Sequence, residues 1–144
     1  MDKGVYRIID ANLNRGMEGI RVCEDIMRFA TSNERLTGRL KDLRHEVFGA
    51  IKNLRSEHLE ELVAARNIAD DVGLPSNDSE KRRKDLVDLF LANTQRGKES
   101  LRVLEEVLKL FDQDLSQKFK SFRFKLYDIE KRSVKELENI SSAG

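Results

Sequence analysis

Two strings in this chain concentrate the residue types that handle anions. The first occurs twice. Ala11-Asn12, Arg15-Gly16, Glu18, Arg21-Val22 and Glu24 recur as Ala92-Asn93, Arg96-Gly97, Glu99, Arg102-Val103 and Glu105 when the chain is shifted by 81 positions (Asn12 onto Asn93). Each copy offers a guanidinium, whose planar fork grips phosphate or carboxylate bidentately, beside an amide and a carboxylate. The second string, Ala64-Ala65-Arg66-Asn67-Ile68-Ala69-Asp70-Asp71-Val72-Gly73, occurs once. There Arg66 suits a phosphate, and Asp70 or Asp71 suits a Mg²⁺ already partly ligated by phosphate oxygens. Plainer readings stand beside these. Arg15 and Arg96 can pair with acids from neighbouring helices, the glycines can be packing points, and the second string can be a capped turn.

The elements that carry these residues read as helices. Ile9, Asn12, Gly16, Gly19, Cys23, Ile26 and Ala30 recur at spacings of three and four. Leu36, Leu40, Leu43, Val47, Ile51 and Leu54 form a second stripe, extended by Leu59, Leu62 and Val63. A third runs from Leu86 to Val107 and a fourth from Phe119 to Leu137. That is the period of amphipathic helices, and no alternating stretch is long enough for a strand. Thr31-Ser32-Asn33-Glu34 can cap the second helix and Asp112 or Asp114 the fourth. The densest breaker cluster, Asp70 through Asp78 with the single proline Pro75, separates two helical pairs.

In the second helix of each pair the repeat continues with a shift of 79, Arg44 onto Arg123 and Phe48 onto Tyr127. Each half is therefore one αα-hairpin, with a two-residue difference in the inner turn. The expected fold is all-α: a pseudo-twofold helical bundle of two repeated αα-hairpins in one domain spanning 1–144. Its repeats cover about 5–55 and 82–138, and its asymmetric connector about 64–79. On a helical wheel Arg15 edges the group of Asn12, Gly16, Gly19 and Cys23. This predicts that Arg15 and Arg96 lie on inner faces. Glu18, Arg21, Glu24 and Asp25 read as helix-surface ion pairs.

Composition narrows the function classes. The 27 Lys and Arg balance 26 Asp and Glu, a formal charge of +1 that argues against a generic polyanion binder and so against nucleic acid. No run of apolar residues is long enough for a membrane span, and MDKGVYRIID lacks the apolar stretch of a signal peptide, so a cytoplasmic protein is expected. Cys23, the one cysteine, falls on the apolar face and reads as core. His45 and His58 read as solvated, and Lys81-Arg82-Arg83-Lys84 as a solvated helix start. There is no G-x-x-x-x-G-K-[ST] loop, no G-x-G-x-x-G and no H-E-x-x-H.

The string from Ile9 to Asp25 resembles the opening of a helical family in thiamine biosynthesis, the alternative hydroxymethylpyrimidine phosphate kinases, often fused to the amino terminus of thiamine phosphate synthase. Leu40 through His45, Ala65-Arg66 through Gly73, and Ala92-Asn93 through Glu106 are similar to that family in order and spacing. Asn67 and Ala69-Asp70 depart from its R-D-T-x-G-D-V-G form, which leaves Asp71 as the better-matched carboxylate.

The resemblance implies ATP-dependent phosphorylation of hydroxymethylpyrimidine phosphate to the diphosphate, without the synthase barrel, which needs about 250 residues. A phosphate monoester with a second pKa near 6 is already mostly dianionic, so such a reaction needs charge neutralisation and alignment, not a general base. The same lack of a base favours the phosphate over the unphosphorylated alcohol as acceptor. On this reading Arg15, Arg96 and Arg66 are the catalytic cations and Asp71 the ligand of a Mg²⁺ that enters with ATP. Asn12, Asn93, Glu18 and Glu99 contact the substrate. Thiamine phosphate synthase is an implied partner, and a homodimer is left open. The rival reading is a non-catalytic helical docking or dimerisation module serving that synthase.

Overall fold

The computed structural model describes residues 3–75 and 82–143. Helix α1 (Lys3–Asp25) widens into a π-helical turn (Ile26–Ala30), and α2 (Glu34–Glu57) follows. A short α3 (Leu59–Ala64) leads into the connector, and α4 (Leu86–Leu108) and α5 (Gln113–Ala143) complete the chain. Among the described residues there is no strand, and the chain is all-α. No helix is long and apolar enough to cross a membrane.

Side-chain caps set the starts. Asn33 accepts from the Leu36 amide at 2.9 Å and Asp112 from the Leu115 amide at 3.0 Å, as the turn chemistry predicts. Asp85 accepts from the Asp88 amide at 2.8 Å, so α4 begins after the basic run; Lys81 lies outside the described residues. The expected single helix to Ala30 instead changes to π geometry after Asp25. The Thr31 and Asn33 amides donate back to Ile26 and Met27 carbonyls, and Ser32 takes a left-handed φ of 52° to turn the chain. Of the breaker cluster, Asp70–Pro75 forms turns, while Ser76-Asn77-Asp78 lies outside the described residues. The second stripe breaks at His58, after which Leu62 rejoins the core while Leu59 and Val63 face solvent.

Each long helix packs against its hairpin partner and against its counterpart in the other half. Ile9, Leu40, Leu43, Ile51, Phe90, Leu101, Leu104 and Phe119 fill the centre. Helices α1 and α4 run antiparallel, with Gly16 beside Ser100, Gly19 beside Asn93 and Gly97, and Cys23 beside Phe90. The approach is tight. A Cβ on Gly19 would stand 2.8 Å from the Asn93 carbonyl oxygen, while one on Gly97 would meet Leu126 Cδ2 of α5 at 2.9 Å. The absence of side chains here sets the seam.

Repeated positions take repeated partners. Arg44 Nε donates to Glu24 at 2.9 Å, and Arg123 Nε donates to Glu105 at 3.1 Å. Arg21 faces Glu24 and Asp25, as Arg102 faces Glu105 and Glu106. Glu24 and Glu105 are nevertheless buried, at 3% and 2% exposure, which corrects their reading as surface ion pairs. The arginine from the next helix draws each carboxylate inward, because a charge leaving water needs a partner there.

Candidate functional site

A cleft that gathers three of the expected site residues lies between the outer side of α1 and the connector. Its volume is about 410 Å³. Arg7, Asp10, Asn14 and Glu18 line it from α1, and Arg66, Asn67 and Asp71 from the connector.

The two sides are joined by one fork. Arg66 donates from Nε to Asp10 Oδ2 at 2.7 Å and from Nη2 to Oδ1 at 3.0 Å. Asp10 is buried and Arg66 half exposed, so the carboxylate fixes the guanidinium plane while the remaining donors stay open to the cleft. Hydrogen bonding to Asp10, with its charge second, raises the Arg66 pKa further above its ordinary value. Asn14 Nδ2 donates to the Asp10 carbonyl at 3.0 Å, and Arg7 Nη2 to the Asn67 carbonyl at 3.4 Å. The connector is folded on itself. Asn67 Nδ2 donates to Asp70 at 2.8 Å, and the Gly73 amide to Asp71 Oδ1 at 2.9 Å. Asn67 therefore serves as a turn residue, and Asp70 is taken up in holding it.

Arg66, Asp71 and Glu18 thus share one cleft, whereas Asn12, Arg15, Asn93, Arg96 and Glu99 are not part of its lining. Lying four residues from Ala11 and three from Glu18, Arg15 borders the same wall of α1. Both Arg15 and Arg96 are exposed, which corrects the inner-face expectation. The reason is rotational. Gly16 and Gly19 face α4, so a residue one step round the helix from them lies on the outer rim of the seam. The Arg96 stem does lie against α1, its Cβ 3.6 Å from where a Gly19 Cβ would stand. Neither guanidinium has an ion pair among the described residues, whereas Glu99 accepts from Gln95 at 2.9 Å.

Asn12 and Asn93 are buried at 7% exposure each, and their amides donate to the carbonyls of Ile8 and Leu89, at 2.8 and 2.9 Å. These bonds satisfy polar groups inside the α1–α4 seam, so the asparagines serve packing there and not the cleft. Arg7, Asp10 and Asn14 are the polar cleft residues that sequence reasoning missed. The one signal for Asp10 is that the other half places Leu91 at its position.

Cys23 is in the core, its thiol donating to the Phe90 carbonyl at 3.7 Å, and burial pushes its pKa well up. It is not a nucleophile. His58 is not solvated as expected; it is half-buried, with Nδ1 3.1 Å from Tyr6 Oη. Among the described residues no three His, Cys, Asp or Glu side chains gather as a metal cage. Asp71 and Glu18 fit only a Mg²⁺ that keeps most of its ligands from phosphate oxygens and water.

The model of the ThiD2 family matches residues 7–132. The thiamine-phosphate synthase of Nostoc sp. is 42% identical over 127 residues, which are 88% of this chain and 34% of that protein. The thiamine-phosphate synthase of Thermosynechococcus vestitus is 41% identical over 125 residues, 86% of this chain and 34% of that protein. The thiamine-phosphate synthase of Rhodopirellula baltica is 37% identical over 124 residues, 85% and 32%. This chain therefore spans about a third of the length of these curated relatives. No solved structure matches it. With the match running through α1, the connector, α4 and most of α5, the chain belongs to the ThiD2 family.

Proposed function

We propose that this chain transfers the terminal phosphoryl group of ATP to hydroxymethylpyrimidine phosphate, giving the diphosphate used in thiamine biosynthesis. The family match and the thiamine-phosphate synthase relatives support the pathway. The observation that carries the reaction type is the fork of Asp10 and Arg66 over a cleft that also holds Arg7, Glu18 and Asp71, with Arg15 at its rim.

In this reading an oxygen of the acceptor phosphate attacks the terminal phosphorus of ATP. A new P–O bond forms, the bridging P–O bond breaks, and ADP leaves with the electron pair. The acceptor is already ionised, so no side chain has to remove a proton. Repulsion between the two phosphate groups is the barrier that the protein must lower. Arg66 is pre-oriented by Asp10, so its open donors face the phosphates without reorganising. Arg15 and Arg96 contribute positive charge from the outer rim. Asp71, which lines the same cleft as Glu18, would hold the magnesium that accompanies ATP, and the ion would neutralise phosphate charge there.

The test is direct. Purified protein, Mg-ATP and hydroxymethylpyrimidine phosphate should yield the diphosphate by mass spectrometry, with stoichiometric ADP. Absence of both products over a range of metals and temperatures overturns the reading in favour of a non-catalytic module. A thiamine phosphate synthase partner then becomes the first binding assay to run.

A further inference from the structure

Helix α2 carries a cationic side that the site above does not use. Lys41, Arg44, His45, Lys52 and Arg55 recur at helical spacing around Phe48. The two acids in that stretch, Asp42 and Glu46, point round the helix, and Glu46 is held by Lys125 of α5 at 2.7 Å. Arg44 is neutralised by Glu24, which leaves Lys41, Lys52 and Arg55 as the excess charge on this face, and that excess favours an anion.

The face also contains a hollow of about 530 Å³, lined by Met17 of α1 and by Arg44, His45, Phe48, Gly49 and Lys52 of α2. Phe48 is 41% exposed, and the Arg55 guanidinium lies 5.6 Å from its ring centre. Gly49 sits in mid-helix, where glycine costs about 1 kcal/mol relative to alanine. No helix packs on it: a Cβ there would meet nothing within 4 Å. Its missing side chain keeps the hollow open.

The other half carries ion pairs at the same place. The counterparts of Met17, Phe48 and Gly49 are Lys98, Tyr127 and Asp128. Lys98 Nζ lies 4.7 Å from the Tyr127 ring centre and pairs with Glu130 at 2.9 Å, while Asp128 pairs with Arg39. Met17 and Gly49 make no such pairs, and with Arg55 at its edge the Phe48 ring forms an aromatic wall of the open hollow, a seat for a planar group.

The hollow and the cleft are consecutive along α1. Asn14 of the cleft is three residues from Met17 of the hollow, and Asp10 is seven, about 10 Å along the axis. A ligand with a flat apolar end and a long polyanionic end spans that arrangement. We propose that the Phe48 hollow seats the heteroaromatic base of a nucleoside triphosphate whose phosphates run along α1 to the Arg66 cleft. The identity of the phosphate end rests on the phosphotransferase reading; the base seat rests on the aromatic wall, the glycine and the cation row.

Calorimetric titration with ATP, and with inorganic tripolyphosphate as a probe lacking the base, tests this. Gly49→Leu projects into the hollow from a position where an added Cβ meets nothing within 4 Å, and it improves helix propensity, so it should fold at least as well as the parent. It should weaken ATP binding about tenfold or more while leaving tripolyphosphate binding unchanged. Phe48→Ala should do the same, whereas Arg66→Ala should weaken both probes. The inference is overturned if either hollow variant binds ATP like the parent, if the parent binds tripolyphosphate as tightly as ATP, or if it binds no ATP. Product formation with undiminished kcat/KM for ATP in Gly49→Leu overturns the base seat and leaves the phosphotransferase standing. ATP binding that depends on the hollow, without any diphosphate product, upholds the seat and overturns the reaction.

Discussion

The two hairpins are held together alike and differ where they meet ligand-sized space. Both bury a glutamate under an arginine from the next helix, Glu24 with Arg44 and Glu105 with Arg123. Both turn an asparagine amide onto its own helix at the seam. Yet Asp10, which holds Arg66, corresponds to the exposed Leu91, and among the described residues no second connector supplies an arginine there. Leu13, Met17 and Ile51 correspond to Thr94, Lys98 and Glu130, which bond to one another. A repeated frame thus provides stability twice. The candidate cleft lies in the half where the repeat is broken and the connector is anchored.

The largest effect should come from attacking what the halves share. Glu24→Ala and Glu105→Ala each leave an inward arginine without its partner, and each should lower unfolding stability by about 3 kcal/mol. Equal losses in urea melts are expected; a loss confined to one half breaks the equivalence. Next comes the break itself. Asp10→Leu copies the second half into the first, and should reduce turnover about a hundredfold while the helical circular dichroism signal is retained. Unchanged kinetics would remove the fork from the site.

The seam gives a smaller contrast. Gly19→Ala drives a Cβ into the Asn93 carbonyl and should cost about 2 kcal/mol. At Gly16 the nearest atom to an added Cβ is Ser100 Cβ at 3.4 Å, so Gly16→Ala should be neutral or stabilise by up to about 1 kcal/mol. Paired thermal melts check the difference.

The smallest effect concerns the tie between α2 and α5. Hydrogen bonds from Arg39 and then Arg132 hold the Asp128 carboxyl below the ordinary carboxylate range. A carboxyl depressed in the folded state stabilises above its unfolded pKa, and the contribution is lost as pH falls through its folded value. Asp128→Asn should therefore lower the midpoint slightly at neutral pH, and the gap should close as acid protonates Asp128. A gap that widens in acid would reverse the assignment.

The frame was largely legible because its signals are local. Asn33 and Asp112 are caps within three residues of the amides they bind. Cys23 lies on an apolar stripe, and the repeat aligns Arg44 with Arg123 directly. The site was legible only in part. Arg66, Asp71 and Glu18 stand out by type, but Asp10 finds its partner 56 positions away, beyond any helical wheel. Glu24 looked solvated for the same reason: the spacing to Arg21 is visible within one helix, and the burial caused by Arg44 is not. The outward aim of Arg15 and Arg96 depends on which face the seam occupies, and that is settled by the fit of α1 on α4.

That fit has a further consequence. The spacing between α1 and α4 is fixed where Gly19 meets the Asn93 carbonyl, and the Arg96 stem rests on the same glycine. The span between the Arg15 and Arg96 side chains is therefore set by how closely two backbones approach. A single methyl at the seam moves the two arginines relative to each other without altering either one. The seam is thus a caliper, and a ligand bridging its jaws would register a packing change first as altered affinity.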